Sequence, residues 1–202
     1  FTINAMAYNE EHGVVDCFNG IDDLKNGVIK CVGNAEERFT EDALRMLRAV
    51  RFSGVLGFSV CEDTLAAIKL LAPTISKISR ERIQVELEKL IMSSHPDRIN
   101  FLYDTELMNF IFPEMVPMIN DYSRSLLADK LNEAPYDHYI RWALFITFAN
   151  GNINEYDILR SLKFDNATIK ICNQLLKYKD EVLSLNQSDL RHIIVKIGKD
   201  IF

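Results

Sequence analysis

The 202-residue chain has no excess of basic residues: 23 Lys plus Arg stand against 29 Asp plus Glu, a formal net charge of −6. A protein that coats nucleic acid with its whole surface is thereby excluded, and any contact with a polyanion must come from a local basic patch. Cysteine is scarce and dispersed. Cys17, Cys31, Cys61 and Cys172 form no C-x-x-C pair, so neither a zinc site nor a thioredoxin-like motif is signalled, and a reduced, cytoplasmic setting is expected. No apolar run approaches the ~20 residues needed to cross a bilayer, and no charged-then-apolar leader opens the chain. Histidine is thin as well: His12, His95, His138 and His192 are scattered, and none precedes an aspartate as in a metal phosphohydrolase. No metal site is expected within these residues.

What remains is a chain that is 48% hydrophobic, enough for one generous domain or two small ones. It opens without Met on Phe1-Thr2-Ile3-Asn4 and stops at Lys199-Asp200-Ile201-Phe202 inside an expected helix, so both ends read as cuts through something larger. Four of the eight glycines fall in the first 35 residues, where turns should dominate. There Val28 to Val32 is a β-branched run suited to a strand, and Ile3 to Tyr8 suits a strand end or one helical turn.

From Thr40 onward helical periodicity takes over. Thr40 as N-cap, Glu41 and Asp42 in the first turn and Gly57 as the stop predict a helix over 41–55. Similar signals predict helices over 62–71, 79–93 with Ser79 as cap, 97–103, 122–132, 137–149, 154–162, 166–179 and 188–202. The expected fold is mainly α: the end of an α+β head over 1–35, a helical neck over 36–105 and a helical body over 106–202.

Chemistry concentrates in Glu41-Asp42-Ala43-Leu44-Arg45-Met46-Leu47-Arg48-Ala49-Val50-Arg51, where arginines recur every third residue behind an acidic pair. On one helix, Asp42 would neighbour Arg45, Arg45 would neighbour Arg48, and Arg48 would neighbour Arg51. The plain alternative is a solvated face of intrahelical ion pairs, each worth a few tenths of a kcal/mol. Against it, three arginines share one acidic pair and no lysine replaces any of them. Arginine is the residue for planar, forked donation to bases or phosphates.

Asn4-Ala5-Met6-Ala7-Tyr8, Val15-Asp16-Cys17-Phe18-Asn19-Gly20-Ile21-Asp22-Asp23-Leu24, Arg38-Phe39-Thr40-Glu41-Asp42, the three arginines and Ser79-Arg80-Glu81-Arg82-Ile83 resemble, in order, the motifs of class II tRNA nucleotidyltransferases. The resemblance covers about the first 90 residues and continues more weakly through Leu159 to Phe164. It implies that Asp42 and Arg45 read the base of CTP or ATP, that Arg48 and Arg51 approach its phosphates or orient that pair, and that Asn4 also belongs to the nucleotide site. Glu41, Arg80 and Arg82 would support them, with bracing favoured over RNA contact for the last two. Cytosine and adenine each place an amino donor beside a ring-nitrogen acceptor, which a carboxylate and a guanidinium match together. Uracil and guanine invert both groups, which leaves buried polar groups unpaired at roughly 1–3 kcal/mol apiece.

The resemblance further implies a tRNA acceptor end held by the body, and Mg2+ on carboxylates of a head that lies upstream. These 202 residues alone should then catalyse nothing. A poly(A) polymerase of the same superfamily shares these motifs. A noncatalytic helical RNA-binding or scaffold module is the other alternative, and it requires Asp42 and Arg45 to pair only with each other, with no cleft beside them. Asp16 reads as a turn and capping residue rather than a cation ligand, and Trp142, Tyr139, Phe145 and Phe148 read as core.

Overall fold

The computed structural model describes residues 1–113, 115, 120–148 and 155–178. A 3-10 turn at Thr2–Asn4 is followed by β1 (Ala7–Asn9), β2 (Gly13–Val15), α1 (Gly20–Asn26) and β3 (Val28–Ile29). Then come α2 (Ala35–Glu41), α3 (Leu44–Leu56), β4 (Ser59–Val60), α4 (Glu62–Leu71) and α5 (Arg80–Ile91). The remaining helices are α6 (Asn100–Asp104), α7 (Met108–Ile111), α8 (Asp121–Glu133), α9 (His138–Phe148), α10 (Glu155–Ser161) and α11 (Asn166–Lys177). The mainly α expectation holds. The helix expected at 188–202 lies outside the described residues.

The helix expected over 41–55 is in fact two helices with an elbow at Asp42-Ala43. Thr40 is not its cap: it lies inside α2, and its hydroxyl donates to the Glu36 carbonyl at 2.8 Å. The cap is Asn34, whose side chain accepts from the Glu36 and Glu37 amides at 2.8 and 3.3 Å. Asp42 breaks the run because its carboxylate competes for backbone amides: extended at φ −149°, it accepts from the Leu44 amide at 3.1 Å. Gly57 stops α3 as expected, at φ +72° in the left-handed region that glycine favours.

Near the start, the strand expected over 28–32 is confined to Val28–Ile29 and pairs in parallel with β4, a strand the sequence reading lacked. It ends early because the Cys31 amide turns aside to the Thr64 hydroxyl at 3.2 Å. Ile3 to Tyr8 divides between the 3-10 turn and β1, which pairs antiparallel with β2. The turn-rich stretch also contains α1. Its start is fastened by Asp16, which accepts from the amides of Phe18, Gly20 and Ile21 at 3.2, 2.9 and 2.8 Å. The amides of Ile21 and Gly20 hold this carboxyl below the usual carboxylate range.

Apolar residues at helical spacing bury one face of each principal helix: Met46, Leu47 and Val50 on α3, and Ile83, Leu87, Leu90 and Ile91 on α5. Burying each such side chain contributes about 1.5–3 kcal/mol. Trp142 and Phe145 on α9 join Leu159, Leu162, Ile169 and Cys172 in the same cluster, so the core reading of α9 is correct. Burial pushes the Cys172 thiol up to about 12, which leaves it a small apolar filler.

α3 and α5 lie side by side with their N-terminal ends together, since Asp42 meets Arg82 while Gly54 lies against Leu90 and Ser93. A Cβ at Gly54 would come within 2.7 Å of Leu90 Cδ1, so glycine permits the close approach.

Candidate functional site

The elbow rearranges the neighbours expected of a single helix. Asp42 does not pair with Arg45. Its Oδ2 accepts from Arg82 Nη2 at 3.1 Å, across from α5, while Oδ1 holds the Leu44 amide. Arg45 instead turns back across the elbow: one Nη1 bonds the carboxylate of Glu41 and donates to the Arg38 carbonyl at 2.9 Å. Arg38 Nη1 reaches the same carboxylate at 3.2 Å. Arg45 first, and Arg38 second, hold the Glu41 carboxyl below its ordinary range, so Glu41 anchors both guanidinium groups.

Beside the elbow is a cavity of about 280 Å3 lined by Phe1, Asn4, Phe18, Arg38 and Arg45, with Ala5, Cys31 and Val32 completing its wall. The cavity brings Asn4 and Arg45 together from positions 41 residues apart, the difference between 45 and 4. Asp42 is half-buried at its edge of the elbow and is not among the lining residues. The pairing that a scaffold reading requires, Asp42 with Arg45 and no cleft, is absent.

Arg48 and Arg51 face away from that cavity, onto Glu86 of α5. Arg51 also lines a wider cleft of about 710 Å3 with Lys89, Tyr136 and Arg141, between α3, the end of α5 and the α8–α9 turn. Arg80 donates to the Ile111 carbonyl at 2.6 Å and so lies apart from the elbow, whereas Arg82 touches it directly through Asp42.

Two residues of the arrangement escape the sequence reading. Arg38 lies in a quoted motif, and its spacing of three from Glu41 was the available signal. Glu86 had no signal, because its contacts join positions 38 and 35 residues apart, 86 less 48 and 86 less 51. Among the described residues, no group of three or more His, Cys, Asp or Glu side chains is placed to hold a metal ion, and no helix is long and apolar enough to cross a membrane.

Comparison with known proteins gives the fold a family. The family described as "Poly A polymerase head domain" matches residues 1–30, and "Probable RNA and SrmB- binding site of polymerase A" matches 57–119. A CCA-adding enzyme of Leuconostoc mesenteroides is 43% identical over 144 residues, 71% of this chain and 35% of that protein. One from Levilactobacillus brevis is 37% identical over 185 residues, 91% of this chain and 46% of its own length. The crystal structure of the Bacillus stearothermophilus CCA-adding enzyme in complex with CTP is similar with a TM-score of 0.78 at 29% identity, covering 98% of this chain and 50% of that one.

The helical fold with its strand-bearing start is thus that of the CCA-adding enzymes. The chain belongs to the class II CCA-adding enzyme and poly(A) polymerase family, and it spans less than half the length of the curated relatives it matches.

Proposed function

We propose that this chain is the nucleotide-selecting and RNA-holding portion of a cytoplasmic tRNA nucleotidyltransferase that adds C, A or both to the tRNA 3′ end. Its substrates are CTP, ATP and the tRNA acceptor end. The observation that carries the reading is the cavity at the elbow, where Asn4, Arg38 and Arg45 converge next to Asp42. The relative that matches 98% of the chain is bound to CTP, which supports a nucleotide there. In this reading, residues 1–35 close one side of the site as the end of the head. The neck over 36–105 reads the base, and the body over 106–202 holds the RNA.

Asp42 accepts from the exocyclic amino group of cytosine or adenine, and Arg45 donates to the adjacent ring nitrogen. Each Asp42 oxygen has one contact to protein, so a lone pair remains for the base amino group. Arg45 spends Nη1 on Glu41 and the Arg38 carbonyl, which leaves Nη2 and Nε to face a base. Both groups are therefore oriented before the nucleotide enters, and less side-chain freedom is lost on binding. Arg48 and Arg51 lie farther along α3 and pair with Glu86; the resemblance alone assigns them to the phosphates or to orienting the Asp42 and Arg45 side chains. Mg2+ would supply charge neutralisation for phosphoryl transfer, but the described residues offer no ligand set for it. The ion would belong to the part of the relatives that this chain does not span.

The test is nucleotide competition in the full-length protein. Asp42→Ala or Arg45→Ala should raise UTP and GTP incorporation relative to CTP and ATP while slowing all four, and unchanged discrimination rejects the reading. The family descriptions also fit a poly(A) polymerase, and sequencing of the RNA product separates a short C and A addition from a long A tail.

A further inference from the structure

The cavity beside the elbow has two kinds of wall. Asn4, Arg38 and Arg45 give it polar groups, whereas Phe1, Phe18 and Val32 give it apolar surface. A ligand that satisfies both has a polar edge and an apolar face, which is the form of a nucleobase. The edge already has partners in Asp42 and Arg45, and the face calls for one of its own.

Two aromatic rings line the cavity, and they are not equivalent. The ring of Phe1 is engaged edge-to-face with Phe52 at a centroid distance of 5.7 Å. Phe18 has no aromatic partner among the described residues, lies outside the hydrophobic core and is 46% exposed. Covering that apolar surface is favourable. The backbone beneath the ring is fixed: Asp16 Oδ1 accepts from the Phe18 amide at 3.2 Å and from the Gly20 amide at 2.9 Å, on the turn that leads into α1. A ring carried on a fastened turn gives up little freedom when a ligand covers it.

We propose that Phe18 is a nucleotide-binding residue whose ring stacks on the base of the incoming nucleotide while Asp42 and Arg45 read its edge. The inference rests on the proposed nucleotide site and divides its work. Every base has a π face, so Phe18 supplies affinity without choosing among bases, and the choice stays with the elbow.

The experiment is calorimetric binding of CTP, ATP and inorganic triphosphate to the full-length protein. Phe18→Ala should weaken CTP and ATP alike, on the order of tenfold to a hundredfold, the scale of one base stacked on an aromatic side chain. It should leave inorganic triphosphate, which has no base, unchanged. Equal losses for all three overturn the inference, because the substitution then acts through the fold and not through the base; wild-type affinity for CTP overturns it as well. Phe18→Trp keeps a stacking face and should bind CTP like the wild type, and its added indole emission should be quenched by CTP but not by inorganic triphosphate. An emission that CTP leaves unaltered, or that both ligands alter equally, overturns the inference even if Phe18→Ala fails to fold. Base choice in nucleotide incorporation is scored on the same proteins. If Asp42→Ala leaves base choice unchanged, the nucleotide-site reading itself fails and takes this inference with it; if Asp42→Ala relaxes it and Phe18→Ala binds CTP normally, only this inference fails.

Discussion

Arg141 on α9 is 6% exposed, and among the described residues no carboxylate forms an ion pair with it. Its guanidinium instead gathers carbonyls: Nη1 donates to Ile91 and Ser93 at 2.8 and 2.9 Å, Nε to Pro135 at 3.1 Å and Nη2 to Ala134 at 3.4 Å. Ile91 is the last residue of α5, where carbonyls lack intrahelical partners and the helix dipole favours a cation. Arg141→Ala removes the donors and leaves these acceptors facing a void. A hydrogen bond from a charged donor is worth about 1.5–3 kcal/mol. Counting all four at that value overshoots, since the two longest are weaker and the adjacent cleft lets water reach part of the site. The substitution takes the buried charge away with the donors, so the loss is that of the unpaired Ile91 and Ser93 carbonyls, about 1–3 kcal/mol each and about 2–6 kcal/mol together.

For a protein of this size each kcal/mol moves the melting temperature roughly 2–4 °C, so the unfolding midpoint should fall by roughly 4–24 °C. Arg141→Lys reaches only some of the carbonyls and should lose about half as much. Arg141→Met keeps much of the volume without donors and should resemble alanine. Calorimetry showing Arg141→Met as stable as the wild type would refute the reasoning, because packing alone would then explain the burial.

Other expectations follow from the same contacts. His138 Nδ1 lies 2.7 Å from Glu88 Oε1, and this hydrogen bond raises the imidazole above its ordinary range against the opposing effect of burial. With the folded value raised, the contribution is fully present below about pH 6.5 and is lost as pH rises through the folded value. Unfolding midpoints should fall across that window in the wild type and flatten in His138→Gln. Gly54→Val places carbon where 2.7 Å separates a new Cβ from Leu90 Cδ1, and overpacking should destabilise by about 1–3 kcal/mol in chemical denaturation. Asn34→Ala removes the cap of α2 and should cost about 1 kcal/mol, with faster amide exchange at Glu36 and Glu37 as its local signature.

Helix-forming segments were legible because their signals are local. Ser79 caps α5 by accepting from the Arg82 amide, and Gly57 ends α3, each from its own side-chain chemistry. Of the residues expected at the site, Asn4 and Arg45 line the elbow cavity, whereas the expected pairing of Asp42 with Arg45 does not form. Reading 41–55 as one helix made Asp42 the partner of Arg45, whereas the break gives Asp42 to Arg82 and Arg45 to Glu41. Each Asp42 oxygen has one protein contact, and while the Leu44 amide is local, the contact with Arg82 joins positions 40 residues apart and has no local signal. Likewise β4 draws on residues with no strand pattern of their own and exists through Val28 and Ile29.

The central claim is that Asp42 and Arg45 together read the base, and a crystal structure of the full-length protein with CTP tests it most directly. The base amino nitrogen should lie within hydrogen-bond distance of an Asp42 oxygen, with a free nitrogen of Arg45 on the cytosine ring nitrogen. CTP bound elsewhere, with both the Asp42–Arg82 and Arg45–Glu41 contacts untouched and no base beside them, would contradict it.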